Sequence, residues 1–186
     1  MSNVRVHALW LAQDDPKKNT AVLASKRGDI KLHKRFNTLP RRGIILEPLC
    51  GKVFGPEDHA LILDQGGAVV GLDCSWAHIE SSVEQVMKRT KLQPRMLPLL
   101  LAANPVNWGK PGRLTTAEAI ATILYLLGKK EQAVQVLGAF RWGPRFFELN
   151  KEPLEAYAAA TSSSELVSLQ FEFFDLGHLK EEDEEP

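Results

Sequence analysis

Hydrophobic and polar positions in the first half of the chain predict several short strands. Residues 4–11 alternate loosely and are rich in β-formers, which is typical of a first strand. Residues 43–47 and 68–73 are largely apolar runs, a pattern that favours buried strands. Residues 21–23 predict a further short strand, and residues 25–42 have no clear period and predict an extended connection.

Helical periodicity lies between these strands and dominates the second half. Residues 56–64 open with Pro56 and two acids, as a helix start does, and residues 79–90 place apolar positions on one face. Residues 96–101 fit either a strand or an apolar turn. Beyond them the pattern is purely helical, and it predicts helices at 115–127, 130–140, 146–150, 153–160 and 164–174.

This change of character predicts two domains and a tail. We expect an α/β domain over residues 1–92, an all-helical domain over 93–180 and an acidic tail over 181–186. The chain has no signal-peptide pattern and no apolar run long enough for a membrane span. Cys50 and Cys74 alone make neither a disulfide framework nor a metal motif, so we expect a reducing cytoplasm and no membrane partner.

Charge is distributed unevenly, although 23 basic and 23 acidic residues balance. Without the five acids of the tail, 18 acids face the 23 bases, and residues 1–56 hold 11 Lys/Arg against 4 Asp/Glu. This asymmetry permits a polyanionic partner, and a solvated charged face explains it equally well.

Common cofactor and metal motifs are absent. The sequence has no GxGxxG, no GxxxxGK[ST], no HExxH and no Cys/His cluster, so we expect no metal. The five histidines are scattered, and we assign them no role.

Three segments stand out instead. Residues 72–76 (LDCSW) follow a predicted strand, where ligands bind in α/β sheets; Asp73 could equally cap a helix and Trp76 could lie in the core. Residues 95–114 form a long loop rich in Pro, Gly and Asn, which is either functional or a domain linker, and Trp108 suggests that it is packed down. Residues 140–150 combine aromatic residues with arginines, which suits base stacking but also a helix–helix corner with core aromatics.

Together these segments resemble one known family. LDCSW, RMLPLLLAANPVNWGKPGRL with TTAEA, and FRWGPRFFELN, in this order, resemble the small-subunit rRNA aminocarboxypropyl transferases, as do DPKKNT and IILEPLCG. In DPKKNT, Asn19 stands where the family usually has Cys. The resemblance covers nearly the whole chain, and its compactness is similar to archaeal members.

The resemblance implies a fold, a reaction and a partner. The fold would be SPOUT-like, with an N-terminal parallel β-sheet domain, an all-α C-terminal domain and a deep trefoil knot. The donor would be S-adenosylmethionine (SAM), and its 3-amino-3-carboxypropyl group would go to N3 of a uridine-type base, typically N1-methylpseudouridine. The partner would be small-subunit rRNA or a pre-ribosomal particle, and the enzyme would be a monomer.

The resemblance also implies a donor site. Adenine would lie among Leu46, Pro48 and Trp76, and its edge would meet the backbone near Leu97 and Gly112, with Leu114. Leu72 would offer its carbonyl to the ribose. Thr20 would meet the carboxylate of the methionine moiety, and Asp73 its ammonium group.

Chemistry assigns Asp73 an orienting role. An ordinary Asp is a weak base at neutral pH, so we expect catalysis mainly by positioning, with Asp73 only a tentative base. Trp76 could wall off the methyl group and favour the sulfonium cation. Candidates for phosphate contacts are Lys17, Lys18, Lys26, Arg27, Arg41, Arg42, Arg95, Lys110, Arg113 and Arg145.

Three other functions stay open from the residues alone. A SPOUT-type RNA methyltransferase would use the same donor and a similar fold. A ribosome-assembly factor would bind rRNA without catalysis, and the intact LDCSW argues against that loss. A small-molecule enzyme is disfavoured by the basic N-terminal half.

Overall fold

A parallel sheet organises the first half of the chain. The computed structural model describes residues 2–176, apart from the side chain of Trp76, so the predicted acidic tail lies outside the described residues. The five parallel strands are ordered β2-β1-β4-β3-β5. Their bounds are β1 Val6–Trp10, β2 Lys31–His33, β3 Gly43–Leu46, β4 Ala68–Asp73 and β5 Gln93–Arg95.

Helices flank the sheet and make up the second half. They are α1 Thr20–Lys26, α2 His59–Leu63, α3 Ile79–Met87, α4 Thr116–Leu126, α5 Lys130–Leu137, α6 Gly143–Leu149, α7 Lys151–Ala159 and α8 Ser163–Phe173. Short 3-10 turns lie at Phe36–Thr38, Pro56–Asp58 and Trp76–His78. Among residues 2–176, no helix has the length and apolar character needed to cross a bilayer.

The sequence predicted the buried elements well and the short polar ones poorly. The strands at 4–11, 43–47 and 68–73 and the predicted helices are confirmed, with ends that shift by a few residues. The strand at 21–23 is wrong, because the Asn19 side chain accepts a hydrogen bond from Val22 N and starts α1 there. The connection at 25–42 contains β2, and residues 96–101 form only isolated bridges beyond β5.

Both faces of the sheet are covered by apolar side chains. On one face Ile44 and Val69 join a large cluster with Ile120 and Leu124 of α4, and α4 approaches β4 closely because Gly71 has no side chain. On the other face Ile45 and Val70 pack with Val86 and Leu92. The large cluster includes residues from both sides of residue 92, and the division into two domains there stays a prediction.

The long loop after β5, residues 96–115, is tied down along its length. Asn150, between α6 and α7, accepts from Leu101 N and donates to Leu101 O, while Tyr157 Oη donates to Leu99 O at 3.0 Å. Phe146 of α6 is fully buried in the same region. The loop is therefore part of the packed structure, and the aromatic segment at 140–150 forms a helix corner that supports it.

Glu118 of α4 is the main anchor of this loop. Its side chain is fully buried, and its two oxygens accept five hydrogen bonds. The donors are Ala103 N, Asn104 N and Asn104 Nδ2 on the incoming arm, and Thr115 N and Oγ1 on the outgoing arm. One carboxylate thus joins both arms of the loop to the start of α4, where Thr115 and Glu118 also form a capping box.

The substitution Glu118→Gln should disrupt the hydrogen bonds that anchor the loop, while the side-chain volume stays nearly constant. One acceptor oxygen becomes an NH₂ donor that faces N–H and O–H donors, so we expect a loss of about 2–4 kcal/mol in the free energy of unfolding. Chemical denaturation measures this loss directly.

A matched control is Glu165→Gln on α8. Glu165 Oε2 accepts from Thr161 N and Oγ1 in a similar arrangement, but its side chain is exposed, so water can replace these bonds. Its substitution should change stability much less. Equal losses in the two variants would show that Glu118 does not anchor the loop.

Candidate active site

A cleft opens at the carboxyl ends of three neighbouring strands. Its volume is about 200 Å³, and β3, β4 and β5 contribute their last residues to it. Both arms of the long loop and the first turn of α4 close its remaining sides. Ligands in open parallel sheets bind at this edge, so the cleft is the prime candidate for a functional site.

The structure brings most of the predicted donor-binding residues together here. The cleft is lined by Leu46, Pro48, Leu72, Leu97, Gly112 and Leu114. Thr20 and Asp73 lie beside it, and the side chain of Trp76 lies outside what the structure describes. The lining is mostly apolar, with Glu47, Cys74, Thr115 and Thr116 as its polar members apart from Arg95.

Asp73 joins three elements at the edge of the cleft. Its Oδ2 accepts from Asn19 Nδ2 and its Oδ1 accepts from Thr116 Oγ1, each at 2.6 Å. Asn19 caps α1 and Thr116 begins α4, so Asp73 fastens both helix starts to the end of β4. We refer to Asn19, Asp73 and Thr116 as the clasp. Asp73 does not cap α3, whose N-cap residue is His78.

Burial raises the pKa of Asp73, while the hydrogen bonds from Thr116 and Asn19 act in the opposite direction. Thr20 stands next to the clasp, and its Oγ1 accepts from Ala117 N at 3.3 Å. The starts of α1 and α4 therefore converge on the same side of the cleft. The partial positive charge of the two helix starts favours an anionic group at that position.

Sequence reasoning missed Asn19 and Thr116 as members of the site. Asn19 was noted only as a departure from the family pattern, although Asn before an Ala-rich run is a strong N-cap signal. Thr116 lies at the start of the helix predicted at 115–127, and nothing in the local sequence marks it as part of a site. Their contact with Asp73 spans 54 and 43 positions of sequence, which no local pattern reveals.

Glu47 is a further carboxyl group in the cleft that the sequence did not single out. It lines the cleft directly after β3 and is only 4% exposed. Its Oε1 accepts from Leu49 N, and within residues 2–176 its other oxygen has no hydrogen-bond partner. Burial raises the pKa of Glu47. The cleft thus holds one incompletely satisfied acceptor.

Cys74 lines the cleft between Asp73 and the turn that follows. Burial, followed by the charge of Asp73, raises the pKa of its thiol to about 11. The side chain is therefore a neutral thiol at neutral pH.

Arg95, which the sequence predicted to bind RNA, is engaged inside the protein. Arg95 is 5% exposed, and its Nε and Nη2 donate to Asp58 at 2.7–2.9 Å. Its guanidinium group also donates to Gln93 Oε1 and Pro94 O. The charge is paired inside the protein, where it fixes the end of β5 and one wall of the cleft.

The other predicted RNA-binding residues lie on two sides of the sheet. Lys17 and Lys18 follow β1, and Lys110 and Arg113 belong to the long loop, so these four are on the edge that carries the cleft. The last residue of α1 is Lys26, and Arg41 and Arg42 precede β3, so these three lie toward the opposite edge. Exposed Arg145, on α6, forms an ion pair with Glu148 at 3.7 Å.

Metal ligation finds no support in the described part of the chain. No three His, Cys, Asp or Glu side chains come together there as a metal site needs. The buried pair His7 and His33, with Nδ1 and Nε2 2.8 Å apart, joins β1 to β2 away from the cleft.

Known proteins are similar to this chain in sequence and in fold. Residues 44–174 match the family model described as "Ribosome biogenesis protein, C-terminal". The 16S rRNA aminocarboxypropyltransferase of Methanothermobacter thermautotrophicus is 42% identical over 159 residues, which is 86% of this chain and 92% of that protein. That of Methanosarcina mazei is 42% identical over 168 residues, 90% of this chain and 94% of its own.

A solved structure agrees with these relatives. The SAM-dependent rRNA:acp-transferase of Vulcanisaeta distributa superposes with a TM-score of 0.78 at 36% identity, and the match covers 90% of this chain and 96% of that one. Both the fold and the sequence are therefore similar over almost the full length of the known enzyme.

Replacing Glu47→Gln should stabilise the protein at neutral pH. The raised pKa means that the folded form keeps a proton that the unfolded chain loses, so stability falls as pH rises from the ordinary carboxyl pKa to the raised one. The variant should lack this fall. Thermal unfolding at a series of pH values measures it, and parallel curves for variant and parent would contradict the expectation.

The control is Glu57→Gln, where the shift has the opposite sign. Hydrogen bonds from Ser163 lower the pKa of Glu57, so its ionised form favours folding. Compared with the parent protein, this variant should become less stable as the pH rises through the range in which carboxyl groups ionise.

Proposed function

Because this chain belongs to the 16S rRNA aminocarboxypropyltransferase family, we propose that it transfers the 3-amino-3-carboxypropyl group of SAM to a uridine-type base of small-subunit rRNA. The similarity over nearly the whole length of the relatives carries this proposal. The cleft supports it, because six of the nine residues that the family resemblance assigns to the donor line it.

The apolar part of the cleft suits the adenosine moiety. Adenine would lie against Leu46 and Pro48, and its edge would meet backbone groups near Leu97 and Gly112, with Leu114. Leu72, at the end of β4, would offer its carbonyl to the ribose. The family resemblance also assigns Trp76 to the donor site, where an aromatic ring favours the sulfonium cation.

The clasp suits the group that is transferred. Thr20 and the converging helix starts would meet the donor carboxylate, and Asp73 its ammonium group. Each oxygen of Asp73 already accepts one hydrogen bond, and a carboxylate can accept about four, so a further donor fits. Since Asp73 is held by Asn19 and Thr116, we assign it an orienting role.

The reaction needs little beyond this alignment. The N3 lone pair of the acceptor base forms a bond to the γ-carbon as the bond from that carbon to sulfur breaks. The electron pair stays on sulfur, methylthioadenosine leaves, and the N3 proton passes to solvent. The carbon presented in line at about 3–3.5 Å reacts, so holding the aminocarboxypropyl chain decides which group of the donor is transferred.

The finer features rest on the family resemblance. They are N1-methylpseudouridine as acceptor, free rRNA or a pre-ribosomal particle as substrate, a monomeric state, a cytoplasmic location and a deep trefoil knot of the SPOUT type. The parallel sheet and the cleft at its carboxyl edge support the SPOUT relationship.

The test is a paired labelling assay with unmodified small-subunit rRNA. SAM carries its label either in the methyl group or in the carboxyl carbon, and we expect only the carboxyl label to enter RNA. Entry of the methyl label alone would identify a methyltransferase. Failure of both labels, together with failure to bind SAM, would favour a non-catalytic assembly factor.

Replacing Asp73→Asn should weaken SAM binding by about tenfold or more, because a charge-assisted hydrogen bond to the ammonium group is lost. Titration calorimetry with SAM measures this change. Asp14→Asn is the control, since Asp14 is an exposed carboxylate that also acts on the pKa of Asp73, and it should bind SAM normally. Loss of turnover with unchanged SAM affinity would instead identify Asp73 as a base.

A further inference from the structure

The tip of the long loop carries an exposed tryptophan. Trp108 is 55% exposed and Val106 is 85% exposed, although the sequence suggested that Trp108 would be packed down. A large aromatic ring in water is costly to maintain, and such rings are common where a partner covers them.

The tip is held in one backbone conformation. Gly109 N donates to Ala102 O, Ala102 N donates to Lys110 O, and Lys110 N donates to Asn107 O, all at 2.8–3.0 Å. Asn107 N donates to the side chain of Asn104, which Glu118 holds in turn. Gly109 supplies the positive φ that the turn requires. Trp108 therefore stands on a fixed support.

The loop that carries Trp108 is basic. Residues 96–115 contain Lys110 and Arg113 and no acid. Arg95 is buried in its ion pair, but Lys110 is exposed two residues from Trp108, and Arg113 follows on the outgoing arm. This charge complements phosphate rather than an acidic or apolar surface.

The tip is also continuous with the cleft. Leu97 and Leu99 on the incoming arm line the cleft, as do Gly112 and Leu114 on the outgoing arm. A nucleotide chain that delivers one base to the cleft passes beside this loop. Single-stranded RNA is bound by aromatic stacking of its bases together with basic contacts to its backbone.

We propose that Trp108 is a stacking platform for a base of single-stranded rRNA near the acceptor nucleotide, with Lys110 on the adjacent phosphate. This inference rests on the proposed function, because it assumes that RNA is the substrate. It assigns the tip to RNA contact and leaves SAM binding to the cleft.

The experiment measures binding of a fluorescent single-stranded RNA that spans the acceptor loop, at several salt concentrations. Trp108→Ala should weaken binding about 5- to 100-fold without changing the slope of affinity against salt, because a stacked base is lost and no phosphate contact is. Trp108→Phe should recover much of the affinity. Lys110→Ala should lower the salt slope by about 0.7.

The control is Phe171→Ala. Phe171 is 65% exposed on α8, next to Glu172, and its removal should leave RNA affinity unchanged. Calorimetry with SAM should give parent-like affinity for all four variants, which shows that they fold. If Trp108→Ala binds the RNA as tightly as the parent, the proposal is overturned. This also holds if the variant loses binding to the protein part of the ribosomal subunit.

This outcome is separable from failure of the proposed function. If the parent protein does not transfer the carboxyl label, the function fails whatever Trp108 does. If the parent transfers the label and Trp108→Ala binds RNA as tightly as the parent, only the stacking platform fails.

Discussion

The candidate site depends on one buried carboxylate that has to be satisfied by the surrounding chain. Glu118 lies in the apolar layer between α4 and the loop, where an ionised group without partners would cost several kcal/mol. Five hydrogen bonds from both arms of the loop meet that demand only when the arms lie in one arrangement. The same arrangement sets one side of the cleft and the turn that carries Trp108.

The two sides of the cleft are built in the same manner, by side chains that act across long stretches of sequence. Asn19 and Thr116 meet on Asp73, and Arg95 is fixed by Asp58. Each contact joins a strand end to a separate helix or turn, so the apolar cleft and the polar clasp are held in a constant relation. A reaction governed by alignment benefits from this rigidity, because the in-line carbon is selected by about an ångström.

The sequence predicted those strands and helices whose burial produces a local hydrophobic pattern. Residues 68–73 read as a strand because both faces of β4 are covered, and α4 was clear from its cap and its apolar run. The three-residue strands β2 and β5 carry Lys31 and Gln93 and depend on pairing with distant partners, so no local period marks them. The family resemblance located the cleft residues, but it could not show that Arg95 is internal or that Trp108 is exposed. Charge and aromatic character say nothing about the side of the protein on which a residue lies.

A protein that binds an alkylating agent has to keep its own nucleophiles unreactive, and Cys74 is such a nucleophile in the cleft. The proposed donor is a sulfonium, and a thiolate beside it would be a better nucleophile than the nitrogen of a base. Because burial raises the pKa of the Cys74 thiol to about 11, the side chain keeps its proton at neutral pH. The apolar surroundings that would receive adenosine in the proposed reaction would thereby also keep the enzyme from alkylating itself before RNA binds.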